Sequence, residues 1–519
     1  MKRLLIALCA VLALASCAPR TTVCVNPPTY SDTPDPDVVR VGDDYYLVTT
    51  TMYYCPMVPI MHSRDLVHWR IVSYVTPDLG EDDHYTFKNG KNAYGKGQWA
   101  TSLQYHDGYF YVLFITNELR KTFIYRTQDA MQSNWEQVLV LDEFYHDASL
   151  LFDDDGRVFV VYGNRQLRVV ELEPDLSGLR EGGLDTLIVD FNPEGFGLCA
   201  EGTRFYHIGD WYYLLEIDWP SGGIRTERCW RSRNIEGPYE QKVICDGTLG
   251  GRNAGIAQGP MVQTQKGDWY AILFQDHGAV GRLITVQSVT WTDGWPICGD
   301  NTRPLETLEV NLPPCGENYL WDNDEFDETE LPLVWQWNHK PLDGCWSLTE
   351  RPGWLRLTTG QLATDITDAR NTLTQRTVGP ACESIVKLDA SGLKPGDYAG
   401  ISAFQSSRLT IGISVGEDGD HYLTARARAF RKEEQTIACF PTESDVVWLK
   451  INYDFNTDIA TMSCSYDGES WMTMDYALHM LFTLDYFTGY RTGLFCYATE
   501  SLGGYADFDF FHQNIVDLP

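Results

Sequence analysis

Val41-Gly42-Asp43-Asp44-Tyr45-Tyr46 sets a glycine turn directly ahead of an aromatic strand, and the chain writes this unit five times before residue 275. The turns fall at Gly42, Gly108, Gly156, Gly209 and Gly267. Behind them come Tyr45-Tyr46, Tyr109-Phe110-Tyr111, Val158-Phe159-Val160, Trp211-Tyr212-Tyr213 and Trp269-Tyr270-Ala271. Spacings of 66, 48, 53 and 58 residues between turns suit one four-stranded sheet each, so the period reads as a radial β-propeller of five blades. Seven to nine residues ahead of each turn stands a marked position, held in order by Asp35, Trp99, Asp147, Glu201 and Gln258. Equivalent inner-strand residues must face one axis. Three of the five are carboxylates, and like charges gathered on an axis cost stability unless they are used.

The first residues stand apart. Lys2 and Arg3 precede an apolar run from Leu4 to Leu14, too short to span a bilayer and shaped like a secretory signal. It ends Leu14-Ala15-Ser16-Cys17, which resembles a bacterial lipobox, so residues 1–17 are expected to form a lipoprotein signal with Cys17 lipidated. Ala18-Pro19-Arg20 follows without an acidic run, and the expected location is the cell envelope, lipid-anchored and facing the periplasm. Loss of Lys2 and Arg3 takes the formal charge from −32 to −34. So acidic a surface repels phosphate backbones, and no basic patch with interleaved aromatics appears, so nucleic acid is excluded as a partner. Aromatics at 13% suit a neutral carbohydrate ligand, although most of them alternate within strands. Of fourteen cysteines, Cys9 and Cys17 belong to the leader. The other twelve contain no Cys-x-x-Cys pair, which leaves zinc and thioredoxin-type chemistry without support and points to buried thiols.

The chain is longer than one ordinary core. After Trp291-Thr292-Asp293-Gly294-Trp295-Pro296 the pattern loosens into proline and acid, with Pro304, Pro313 and Pro314 and then Asp322 to Glu330. The propeller is therefore expected over 24–312, a linker over 313–334 and a second all-β domain over 335–519. In this last part, period-two strands such as Thr410 to Val415 and Val446 to Tyr453 return, with turns at Gly416-Glu417-Asp418-Gly419 and Asp467-Gly468. Such alternation favours a two-sheet sandwich.

Cleaving a glycosidic bond takes an acid for the leaving oxygen and a base for water, roughly 6.5–9.5 Å apart in inverting enzymes. Opposite walls of a propeller funnel offer that separation, and a third carboxylate near the acid keeps it protonated by repulsion. At these residues the chain resembles glycoside hydrolase family 43. Asn26-Pro27-Pro28, Thr33-Pro34-Asp35-Pro36-Asp37 and the Gly42 turn look like the family's first blade, and Pro59-Ile60-Met61-His62-Ser63-Arg64-Asp65-Leu66-Val67-His68-Trp69 is similar to its closing strand. The resemblance implies Asp35 as general base. His146-Asp147-Ala148-Ser149-Leu150 is similar to the segment whose aspartate modulates the acid, which gives Asp147 that role. Ala200-Glu201-Gly202 resembles the general-acid segment and assigns Glu201. Gln98-Trp99-Ala100 looks like the strand whose tryptophan lines the sugar pocket, with a core tryptophan the alternative. Gly281-Arg282 resembles the segment whose arginine reaches the sugar, with plain pairing to an acid equally open. Gln258 keeps the axial position of blade five, but Ala257 stands where many members hold a histidine for a central water or cation, so no catalytic metal is expected. Ala148, Asp37 and Met57 depart from common family residues and are expected to reshape the pocket rim.

The C-terminal part resembles the lectin-like, concanavalin A-like β-sandwich that follows the propeller in one branch of the family. There it packs on the propeller and can lend a loop to the rim; a structural role and a carbohydrate-binding role are both open. Acidic residues near Asp507 are candidates for a structural calcium, with solvated strand-end charges the alternative. The fold expected is thus all-β, a five-bladed propeller followed by this sandwich. The expected function is that of an exo-acting, inverting, cofactor-free β-xylosidase or α-L-arabinofuranosidase acting on plant cell-wall oligosaccharides. An endo-arabinanase and a lipid-anchored, non-catalytic glycan-binding protein are the alternatives.

Overall fold

The structure, a computed structural model, describes residues 20–250, 252 and 254–516, so the apolar leader and Cys17 lie outside the described residues. All five turn glycines adopt positive φ, between 60° and 91°, a region where a side chain would be strained. Behind each turn the aromatic strand becomes the second of a four-stranded antiparallel sheet. The five sheets span 37–76, 98–141, 149–190, 196–246 and 261–298, which are blades one to five in chain order. Thr22–Val25 pairs antiparallel with Thr307–Val310, so a separate two-stranded ribbon ties the start of the propeller to its end.

The unusual backbone lies within or just ahead of the inner strands. Asp35 (φ 51°), Asp147 (φ 47°), Ala200 just ahead of Glu201 (φ 50°) and Gln258 (φ 56°) are all left-handed. Each such residue costs of order 1–3 kcal/mol and persists only where its surroundings hold it. In blade four the inner strand Phe196–Ile208 also slips register against its neighbour between Leu198 and Glu201 and again between Glu201 and Arg204. Bulges of this kind re-aim a side chain.

The second domain stacks an eight-stranded sheet on a seven-stranded one, around a core that includes Leu373, Ile401, Ile411, Leu449 and Phe508, all fully buried. Its eight-stranded sheet ends on the propeller's own chain: Tyr54–Cys55, from within blade one's span, pairs with Gln336–Asn338. A shared apolar cluster joins Tyr53, Tyr54 and Tyr85 of the propeller part to Phe404 and Phe495 of the sandwich, each of them at 0% exposure. A fully buried large apolar side chain contributes about 1.5–3 kcal/mol, so the two domains are held as one unit. The stretch read as a linker is itself laid down on both. Tyr319 bonds with the backbone of Trp69 and Ile71, Asp324 bridges Phe511, and Phe326 and Val334 are buried in the sandwich core.

One expectation changes and another holds. Asp507 offers no carboxylate to a calcium ion: it is 2% exposed and takes Arg356 Nε at 2.7 Å and Arg351 Nη1 at 3.0 Å. Nor is it a solvated strand-end charge. All twelve cysteines among the described residues are free thiols and nine are buried, in keeping with the absence of any paired motif.

Candidate active site

The inner strands converge on a cavity of about 370 Å³ that takes one of the marked residues from every blade: Asp35, Trp99, Asp147, Glu201 and Gln258. Arg282, on the third strand of blade five, joins them, while Leu484 and Phe487 reach in from the sandwich. The sandwich loop therefore completes the pocket wall. A larger cleft of about 880 Å³ lies outside blade one, among His62, His68 and Glu317, and none of the three axial carboxylates lines it.

Asp35 is 5% exposed, and both its oxygens have donors. Arg282 Nη1 donates to Oδ1 and Thr50 Oγ1 to Oδ2, each at 2.8 Å. Burial pushes its carboxyl above the ordinary aspartate range, Arg282 opposes that rise and the charge of Asp147 adds to it. The two readings of Arg282 thus hold together, since it lines the cavity, pairs with Asp35, and packs its guanidinium 4.6 Å from the Phe487 ring centre. Beneath the site the fully buried Arg204 donates to the carbonyls of Asp35 and Pro36 and stands 3.4 Å from Asp37, clamping the strained segment from below.

Asp147 is pushed up by burial; His146 and the Gly202 N–H act to lower it and Glu201 to raise it. The Gly202 amide donates to Asp147 Oδ2 at 3.0 Å. A Cβ on Gly202, whose φ is +68°, would lie 2.5 Å from the Gln258 side chain, so glycine lets blades three, four and five close on the axis. Gln258 itself is fixed by its backbone N–H, which donates to the buried Glu227 at 2.6 Å.

Sequence reasoning missed one member of the cluster. His146 Nε2 lies 3.3 Å from Glu201 Oε2 and 3.7 Å from Asp147 Oδ2, and Asn164 also donates to Glu201 Oε2. Burial works against a charge on His146, yet Asp147 and Glu201 outweigh it and raise its pKa to about 9. The residue stood in the quoted His146-Asp147 string, but only the contact across blades gives it a use. Trp99 faces the cavity as expected, with its ring edge-on to His146 and Phe487. The rim departures do not behave as expected: Asp37, Met57 and Ala148 are buried and none lines the cavity. Asp37 instead accepts from the amides of Val38 and Leu103 and pairs with Arg204 under the site.

His146, Asp147 and Glu201 hold their polar atoms within 4.8 Å of one another, a size that admits a cation. One imidazole nitrogen and two carboxylates at this spacing can also pass a proton between them.

Residues 24–296 match glycosyl hydrolases family 43, and residues 323–514 match the beta-xylosidase C-terminal concanavalin A-like domain. The chain belongs to family 43. It is a glycoside hydrolase. It is 28% identical to a beta-xylosidase of Formosa agariphila over 94% of this chain and 89% of that protein. It is 32% identical to a non-reducing end alpha-L-arabinofuranosidase of Bacteroides ovatus over 64% of each. Among solved structures, a bifunctional GH43-CE protein of Bacteroides eggerthii superposes with a TM-score of 0.89 at 39% identity, covering 95% of this chain and 64% of that one. The family 43 chain spans only that part of the bifunctional protein.

Proposed function

We propose that this family 43 enzyme removes terminal xylose or arabinofuranose from plant cell-wall oligosaccharides by single displacement. The observation that carries the reading is the convergence of Asp35 and Glu201, from blades one and four, on one cavity with Asp147 and Arg282 beside them. Asp35 takes a proton from water, the water attacks the anomeric carbon, and Glu201 protonates the departing oxygen, so the first product carries the inverted anomeric configuration. Arg282 keeps the buried base ionised, and Trp99 and Phe487 present aromatic edges and faces to a sugar ring. The wall supplied by Leu484 and Phe487 favours attack on a chain end over an open groove. Relatives named beta-xylosidase and arabinofuranosidase support the pentose class.

No metal enters this mechanism. The anchor at Cys17 would hold the enzyme at the envelope, facing the periplasm, where short imported chains offer many ends. Hydrolysis of 4-nitrophenyl β-D-xyloside against 4-nitrophenyl α-L-arabinofuranoside tests the substrate class. Proton NMR of the first product, taken before mutarotation, tests the displacement; a retained anomer overturns it.

A further inference from the structure

His146 has no part in the two-carboxylate scheme, yet it is the group nearest the acid that can carry a proton. Its Nε2 sits at 3.3 Å from Glu201 Oε2, with Asn164 on the same oxygen, while no protein donor among the described residues engages Oε1. The groups facing it are Asp147 beside it, Glu201 from blade four, Arg120 from the turn after the second strand of blade two, and the rings of Trp99 and Phe144. Arg120 packs over Phe144 at 4.1 Å, which leaves the two carboxylates as the counter-charges nearest the imidazole. The His146 side chain is 22% exposed, so solvent reaches it, while that of Asp147 is held to 9%.

We propose that His146 and Glu201 act as one acid, with His146 supplying the proton that Glu201 delivers to the leaving oxygen. A proton passes from Nε2 to the Glu201 carboxylate and from Glu201 to the glycosidic oxygen as the carbon–oxygen bond breaks. Glu201 ends as it began, the imidazole is left neutral, and water restores its proton at the exposed edge. The proton that Asp35 removed from the attacking water leaves to solvent, so protons balance over the turnover. His146 acts through Glu201 and makes no bond to the sugar in this step. The raised pKa of its ring, about 9, means that the reservoir stays full through neutral pH.

The inference rests on Glu201 being the acid, and leaving-group dependence separates the two ideas. His146→Gln and His146→Asn keep a hydrogen-bond donor but cannot carry the proton. Each should lower kcat/KM on the xylo- or arabino-disaccharide by ~10²-fold, the lower end of general acid catalysis. On the 2,4-dinitrophenyl glycoside, whose leaving group needs no proton, the loss should stay within about 3-fold. The alkaline limb of the pH–rate profile should also fall by about one pH unit or more. An equal loss on both substrates, or an unmoved alkaline limb in folded protein with a wild-type melting curve, overturns the proposal. Glu201→Gln is the control. If it spares the disaccharide, the acid assignment itself fails; if it abolishes disaccharide cleavage while both His146 variants behave as wild type, only the His146 inference fails.

Discussion

Asp35 shows how one residue is tuned by opposing terms. Burial and the Asp147 charge raise its pKa, and Arg282 is the largest influence holding it down. The base works only when ionised, so the acidic limb of the pH–rate profile follows this group. Arg282→Met removes the restraining charge and should move that limb to higher pH; an unmoved limb would detach Arg282 from the base. Asp147→Asn acts on the other side. It removes a negative charge beside His146, so the imidazole binds its proton less firmly and the alkaline limb should shift to lower pH. Asp35→Asn and Glu201→Gln should each lower kcat on the disaccharide by at least ~10²-fold with melting unchanged, and wild-type turnover in either purified variant would sink its assignment. These three carboxylates were legible because each stands seven to nine residues ahead of a glycine turn. His146, Asn164 and Arg204 were not, since their uses depend on contacts between blades that no spacing along the chain records.

At the scale of the element, the axial segment of blade five is held by a buried carboxylate from blade four. Glu227, on the third strand of that blade, is fully buried; one oxygen takes the Gln258 amide and the other has no partner. Burial lifts its pKa well above the usual 4.5, with Arg204 opposing and Asp218 adding to the rise. A group whose folded pKa is raised contributes stability that is fully present below its unfolded value and lost as pH rises through the folded one. Glu227→Gln keeps an oxygen for Gln258 and removes that dependence. Unfolding free energy should therefore match wild type near pH 4.5 and exceed it at alkaline pH, by the roughly 1–3 kcal/mol that an uncompensated buried polar group costs, with the melting temperature following. A variant whose melting curve falls in parallel with wild type across that range would refute the titration. The blades themselves were legible, since turn and aromatic strand recur together. The two-residue strand Tyr54–Cys55 was not: so short a segment has no period, and it forms because the sandwich sheet beside it needs a partner.

For the whole molecule, the pocket belongs to both domains. Buried Asp32 accepts from the amides of Arg282 and Gly489, and so ties blade five to the loop that carries Phe487. Arg252 reaches across to Asp458 at 2.8 Å. Phe487→Ala opens that wall and should raise KM on the disaccharide by roughly 10-fold, the range of one buried aromatic contact, with kcat little changed; an unchanged KM would show that the sandwich is only scaffold. The other end of the molecule bears on location. From Cys17 to the first strand at Thr22 the chain spans five residues, at most about 18 Å when extended, so a lipid on Cys17 would hold the propeller close against the bilayer. A body that would carry a net charge of −34 after loss of Lys2 and Arg3 would gain no attraction from anionic headgroups, so under this proposal attachment would rest on the lipid. Cys17→Ser should therefore move the enzyme wholly from the membrane fraction to the soluble one, with kcat and KM intact and with no effect of EDTA on either form. A Cys17→Ser protein that stays with the membrane would refute the anchor, wild-type protein cleaved by protease added to whole cells would refute the periplasmic face, and activity lost to EDTA and restored by calcium would refute the metal-free mechanism.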